Sequence, residues 1–335
     1  MDLTTRYMGL ELKNPLVASA SPLTGNLDDI RSLEDAGAAA IVLPSLFEER
    51  IDAEARAHEV QTATGLESSP EALSHFPESE GPGPEQYLDL IGRAVAAVDI
   101  PIVASLNGTT DEGWTGYAKL IEEAGAAALE LNVYFIPTDI AMTGGEVEQR
   151  YLEVLRQVRR TIALPLAMKL GPYFSSIGQT AAQFAAAGAD ALVLFNRFYQ
   201  PDIDLAQVRL RNDLQLSSSS EIGLPLLWIA LLCGRISASL AASTGIEDSE
   251  QVIKYLLAGA DAVMTTAALL RHGPRHMEKL LTGMMSWLSA RDIESLDNIR
   301  GLLSQHRFTN PDSFGRESYV KILRDYAALH PHGCV

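Results

Sequence analysis

The sequence predicts an α/β protein built as a (β/α)8 TIM barrel, and three observations carry that expectation. The motif Ala-Gly-Ala stands before an apolar, β-prone run at 36–38, 124–126, 187–189 and 258–260. Two further strands start on a hydrophobic-Pro-hydrophobic junction, at Pro101 and Pro165. Apolar strand-like runs alternate with helical stretches along most of the chain, which is how a parallel sheet covered by helices reads.

Each Ala-Gly-Ala reads as a helix ended by a left-handed glycine, with small alanines letting helix and sheet approach. The runs that follow are strands, and proline is tolerated at a strand's first residue. The expected strands are 15–20, 40–44, 102–106, 129–133, 166–170, 192–196, 236–242 and 262–266, eight in all. Between them helices are expected at 84–98, 114–124, 144–162, 180–187 and 249–258. Leu224-Pro225-Leu226 is not a ninth strand: Pro225 suits the first turn of a short helix that ends at Gly234. Eight units close as a barrel. An open doubly wound sheet would want a Gly-rich first turn, and Ala20-Ser21-Pro22 is not one.

Two stretches fall outside the repeats. Residues 48–83 are long, acidic and rich in Ser, Pro and Gly, expected as an excursion over the barrel mouth after strand two. Residues 277–329 hold helical material with a break near 308–314. The expectation is one domain over 1–335, with a core of about 3–285 and a C-terminal helical extension of about 286–330.

Composition narrows the function. The chain has 335 residues and 47% hydrophobic content, enough for a large core. Against 26 basic residues stand 43 acidic ones, net −17, so nucleic acid and anionic membrane surfaces would be repelled. Two cysteines, Cys233 and Cys334, cannot build a disulfide framework, a four-cysteine zinc site or an iron–sulfur cluster. Residues 1–6 carry no apolar stretch, and the longest apolar run, 224–233, is about half of what spans a bilayer. The expectation is a soluble protein of a reducing cytoplasm, with no metal site.

A barrel's active site lies at the carboxyl ends of its strands. There the sequence delivers Ala20-Ser21, Ser45, Asn107, Asn132, Lys169, Asn196, Ser243-Thr244-Gly245 and Thr265-Thr266. Two amides and a lysine at successive strand ends belong at buried positions only where something polar binds. The structural alternatives are a Lys169–Glu130 pair and two loop-capping asparagines. Small residues after strands seven and eight, each followed by a helix, suit a phosphate on converging backbone N–H groups. A phosphorylated cofactor or substrate is expected.

These residues resemble the dihydroorotate dehydrogenase family, class 1-like. Residues 12–19, Leu-Lys-Asn-Pro-Leu-Val-Ala-Ser, resemble its opening strand, Glu130-Leu131-Asn132 its fourth-strand motif, and 168–174 its fifth. Asn196 stands where the family has a strand-six asparagine, and 242–246 with 258–269 align with its phosphate-binding end. The resemblance covers roughly 3–270 and implies FMN. It would set Ala20 and Ser21 against the ring and Lys169 at the flavin N1 side, where positive charge favours the reduced ring. Ser45 and Asn107 would belong to the same cofactor site. Asn132 and Asn196 would line flavin and substrate, and the amides of Ser243, Thr244, Gly245, Thr265 and Thr266 would hold the phosphate.

The chain departs from that pattern. Where the family follows its asparagine with a catalytic Cys or Ser, this run is Asn132-Val133-Tyr134-Phe135-Ile136-Pro137. Phe135 occupies the base position, and a phenyl ring takes no proton. The second asparagine of that loop is missing, and the family's strand-two lysine is Pro44 or Ser45 here. Tyr134 is the nearest candidate base, with a reference pKa of about 10. Arg197 is an added cation that could anchor an acidic substrate or pair with Asp202 or Asp204.

Two functions from different classes follow. One is an FMN oxidoreductase taking dihydroorotate to orotate in pyrimidine biosynthesis, or acting on a related small acid. The other is a flavin-holding subunit that passes electrons to a redox partner protein. A phosphate-sugar barrel enzyme without flavin fits 12–19 and Lys169 poorly. The resemblance also implies a homodimer.

Overall fold

A computed structural model describes residues 1–51, 83–108, 114–211, 213–308, 314 and 316–329. Of the acidic excursion, residues 52–82 lie outside the described residues. The barrel strands are β1 (Leu16–Ala18), β2 (Ala40–Phe47), β3 (Ile102–Gly108), β4 (Ala128–Val133), β5 (Leu166–Leu170), β6 (Ala191–Leu194), β7 (Ser239–Ser243) and β8 (Ala262–Thr265). They pair in parallel in chain order, β8 with β1, and close into a barrel. Around them run α1 (Leu27–Asp35), α2 (Pro84–Ala97), α3 (Trp114–Glu123), α4 (Gly144–Thr161), α5 (Ile177–Ala186), α6 (Gly223–Leu232), α7 (Ser249–Ala258) and α8 (Ala267–His272). Helices α9 (His276–Ser289) and α10 (Arg316–Leu329) follow the last unit.

The four Ala-Gly-Ala glycines end their helices as read. Gly37, Gly125, Gly188 and Gly259 have φ of +98°, +94°, +106° and +117°, where a Cβ is strained. At Gly259 space forbids one as well: a Cβ would lie 2.2 Å from Cys233 Sγ. Helix α6 has Pro225 at its third position and left-handed Gly234 just beyond its end.

Two strands differ from their expected bounds by three residues at one end, the others by two or fewer. β2 runs past Pro44 to Phe47, because a bulge between Val42 and Ser45 takes up the proline's missing donor. β7 starts at Ser239, not 236, because its neighbour β6 begins at Ala191, the partner of Ser239.

Apolar packing forms two layers. The larger lies between the strands and the helices, with Leu16, Ile41, Leu129 and Leu192 among its strand residues. The smaller fills the barrel, where β3 to β8 offer Val103, Ala128, Ala167, Ala191, Val193, Ala241, Ala262 and Met264. So many alanines leave room inside, and a hairpin fills it from below. Its strands Thr5–Tyr7 and Leu10–Leu12 meet at a two-residue turn, Met8-Gly9, with φ of 53° and 80°, and Tyr7, Met8 and Leu12 enter the barrel. The hairpin is pinned by Thr5 Oγ1 donating to Asp261 O at 2.8 Å and Met8 N donating to Ser239 Oγ at 3.3 Å. A Met-Gly turn lacks the usual Asn-Gly or Asp-Gly signal, so this plug was not legible in the sequence.

Among the described residues, no helix is long and apolar enough to cross a membrane, and no group of three or more His, Cys, Asp or Glu could hold a metal ion.

Gly259→Ala should lower unfolding free energy by about 3 kcal/mol or more, combining backbone strain with overpacking against Cys233. Gly125→Ala, with φ +94° and only Val95 Cγ1 at 4.0 Å from an added Cβ, should cost only the strain, about 1–2 kcal/mol. Urea unfolding of the two variants checks the difference.

Candidate active site

At the carboxyl ends of the strands opens a cavity of about 600 Å3. That lies within the roughly 300–1,000 Å3 usual for small-molecule and cofactor sites. Its wall gathers ten of the sequence-predicted residues: Ala20, Tyr134, Lys169, Asn196, Arg197, Ser243, Thr244, Gly245, Thr265 and Thr266. Ser21, Ser45, Asn107 and Asn132 lie off that wall.

The register explains the floor. Asn107, Asn132 and Lys169 stand side by side on β3, β4 and β5, and Ser45, Ser105 and Glu130 form a row two residues deeper. Residues two apart share a face of a strand, so both rows turn into the barrel. Lys169 is buried at 7% exposure, and its Nζ donates to Ser19 Oγ and to Glu130 Oε1, each at 3.3 Å. An ammonium has three donors. Two are held from below and beside, which leaves one for the cavity that Lys169 lines. The pairing with Glu130 and a place in the site therefore hold together; they are not alternatives.

The amides of strands four and six serve each other. Asn196 Nδ2 donates to Asn132 Oδ1 at 2.6 Å, so neither acts as a lone loop cap and Asn132 supports Asn196 on the wall. Ser45 Oγ shares a hydrogen bond of 2.8 Å with Ser105 Oγ. Ser21 starts the 3-10 turn Pro22–Gly25, its N–H donating to Thr24 Oγ1 at 3.2 Å.

The far end of the cavity is made of backbone. Thr244 and Gly245 take φ of +86° and +76°, a turn that sets successive N–H groups to one side. A Cβ at Gly245 would lie 2.6 Å from Ile222 Cγ2 and 2.9 Å from Ser218 O, so only glycine fits. The Thr244 hydroxyl donates to Phe195 O at 3.0 Å and that of Thr265 to Ile246 O at 3.2 Å. The Gly245 N–H donates to Ser217 Oγ at 3.3 Å, so this end offers an anion the remaining main-chain N–H groups and the Ser217 hydroxyl.

Arg197 does not pair with Asp202 or Asp204. Its Nε lies 3.0 Å from Glu221 Oε2, and it also donates to Gln215 O. Asp204 instead faces Arg209, across a two-stranded hairpin (Asp202–Asp204 with Arg209–Arg211) that the sequence did not reveal. Arg271 donates to Leu216 O at 3.1 Å, to Ser217 O at 2.8 Å and to Glu247 Oε1 at 2.8 Å. Two arginines thus clamp the 215–217 wall from opposite sides.

Tyr134 lines the cavity, and its hydroxyl accepts the N–H of Tyr199. Phe135 does not occupy the cavity. It lines a second, apolar pocket of about 390 Å3 with Tyr151, Tyr173 and Phe174, and the Arg150 guanidinium lies 4.2 Å from its ring centre. Sequence reasoning missed Ser19, Phe195, Phe198, Asp213 and the 214–217 wall. Strand parity could have found Ser19, two residues beyond interior Val17; nothing local marks the others.

Arg271→Ala should free the 215–217 wall. Losing two charge-assisted hydrogen bonds should speed amide exchange across 213–218 by about tenfold or more while global melting changes little. Hydrogen-exchange mass spectrometry reads this directly.

No family model matches the chain. Curated relatives do, across nearly its whole length. An Aeropyrum pernix protein assigned as dihydroorotate dehydrogenase A (fumarate) is 25% identical, over 90% of this chain and 97% of its own. The catalytic subunit of dihydroorotate dehydrogenase B (NAD(+)) from Methanothermobacter thermautotrophicus is 26% identical, over 90% and 98%. The NAD-dependent dihydropyrimidine dehydrogenase subunit PreA of Escherichia coli is 23% identical, over 91% of this chain and 77% of the relative. With its closed barrel and its cavity at the strands' carboxyl ends, the chain is similar to dihydroorotate dehydrogenases over about 90% of its length, at a divergent 25–26% identity.

Proposed function

We propose that this protein is an FMN-dependent oxidoreductase acting on a CH–CH bond of dihydroorotate or a related small acid. The observation that carries the reading is one cavity with a buried lysine at its floor and a main-chain anion cradle at its far end. Lys169 with its remaining N–H, Asn196 braced by Asn132, and Ala20 fit a flat polar ring. The N–H groups of Ser243, Thr244, Thr265 and Thr266 fit a phosphate, and that of Gly245 would join them on leaving Ser217 Oγ. Bound there, FMN would supply a two-electron acceptor for hydride.

The chain's own residues must then hold the substrate and take its proton. Two groups on the wall can accept a proton. Tyr134 presents a hydroxyl whose lone pair already receives the Tyr199 N–H. Asp213 is the one carboxylate on that wall among the described residues, paired with Arg211. A carboxylate is the more usual general base, and Tyr134 follows Asn132 by two residues at the end of β4. Arg197, held by Glu221 and Gln215, serves the wall first and an acidic substrate second.

A second reading rests on Phe135, which stands outside the cavity. A flavin-holding subunit needs no proton acceptor and would pass electrons to a partner protein. Two relatives are named as subunits, which favours keeping this reading beside the first. Both readings fit a cytoplasmic protein acting as a homodimer or with a redox partner.

The purified protein should show oxidised-flavin absorbance, and anaerobic dihydroorotate should bleach it. Flavin that stays oxidised supports the electron-passing reading; a colourless protein that takes up no FMN overturns both. Lys169→Met should weaken FMN binding by about tenfold to a hundredfold, the loss of a charge-assisted hydrogen bond, as measured by fluorescence titration.

A further inference from the structure

The Glu130 carboxylate is 1% exposed, within the barrel and one row beneath the cavity floor. Its Oε1 lies 3.3 Å from Lys169 Nζ, while its Oε2 has no hydrogen-bond partner among the described residues. Below it lies a gap too small to seat a water molecule, lined by Tyr7, Val17, Val42, Val103 and Met264. Tyr7 is buried with its hydroxyl unpartnered too, and burial, then the charge of Glu130, holds that phenol well above the usual tyrosine range. A carboxylate half satisfied in a dry core is expensive, and apolar residues of its volume would fill the barrel at less cost. Stability does not account for it.

What Glu130 does achieve is electrostatic. It anchors the ammonium of Lys169, and it cancels most of that cation's charge at the place where the cavity meets the barrel interior. In a site of low dielectric, a bare cation and a neutralised pair differ widely in their pull on an anionic ligand. We infer that Glu130 is a positioning residue that sets the charge of the floor, holding Lys169 as one half of an ion pair so that the site does not overstabilise the reduced, anionic state of its cofactor. This rests on the FMN reading given above.

Three variants test it in the intact protein, with bound FMN and its midpoint potential as readouts. Glu130→Gln leaves Lys169 uncompensated and should raise the ratio of reduced to oxidised flavin at a fixed potential by about tenfold, about 30 mV for a two-electron couple. Lys169→Met should shift the potential the other way. The double variant removes both charges and should return close to the parent value, the two opposite shifts cancelling as they must for a charge and its counter-charge. If Glu130→Gln fails to fold, the step from Lys169→Met to the double variant still decides, because removing the Glu130 charge should then raise the potential back toward the parent value. FMN bound at an unchanged potential in Glu130→Gln, or a double variant that keeps the potential of Lys169→Met, overturns this inference and leaves the cofactor reading intact. A protein that takes up no FMN overturns both.

Discussion

An ion pair inside a barrel of alanines is the constraint from which the rest of this structure follows. Breaking a buried pair by removing one partner typically costs about 3–5 kcal/mol, because the other charge is left stranded. Lys169 and Glu130 therefore have to be kept together and kept dry. The alanines of β4 to β8 make the interior wide enough to hold the pair, and width is a liability unless something fills the rest. The N-terminal hairpin does so, driving Tyr7, Met8 and Leu12 up from below. Its anchors on Ser239 and Asp261 tie the floor of the barrel to the same strand end region that β7 and β8 use to begin. The chain's first residues are thus part of its site, although they touch none of its cavity.

The upper end is built on the opposite principle. Around Lys169 specificity lies in side chains; around Thr244 and Gly245 it lies in the main chain. The side chains there face away, Thr244 to Phe195 O and Thr265 to Ile246 O, and Tyr255 donates to Thr244 O at 2.9 Å from α7. Each of these bonds fixes a turn, and Ser217 Oγ holds the Gly245 N–H from the facing wall. The wall at 215–217 has no element of its own to stiffen it, and two arginines with carboxylate partners on different segments take that role. Arg197 is therefore legible as a cation from the sequence, but its work in the fold is mechanical.

What could be read from the sequence divides along a physical line. The four Ala-Gly-Ala caps, the strands after them, Lys169 and the two asparagines were legible because local chemistry forces them: a left-handed glycine, an apolar run, a polar group at a strand end. The hairpins at 5–12 and 202–211 were not, since neither turn carries the residues that announce one. Nor were the partners of Arg197, because loop contacts between 197, 215 and 221 depend on how a connection folds back and not on spacing. Ser45, Asn107 and Asn132 show a subtler limit. Parity put all three on the inward face, as the register shows, but inward is not the same as lining the cavity: Ser45 lies a row deeper, while Asn107 and Asn132 share the row of Lys169 on strands the cavity does not reach.

Position 135 brings these strands of argument together. The segment after β4 leaves the barrel in extended form, where successive side chains point to opposite sides. Phe135 is drawn outward by an apolar pocket with Tyr151 and Phe174 and by the Arg150 cation on its ring. That draw turns its neighbour Tyr134 inward, onto Phe198 at 4.4 Å between ring centres and into the cavity wall. A phenylalanine where relatives of this type are expected to carry a proton-accepting side chain is thus not a plug in the site. It is an anchor that exchanges faces with the residue before it, so the polar atom lost at one position reappears at the next. The proton-accepting groups this cavity presents are that hydroxyl and the Asp213 carboxylate, both carried by loops, with the barrel supplying the buried ion pair beneath.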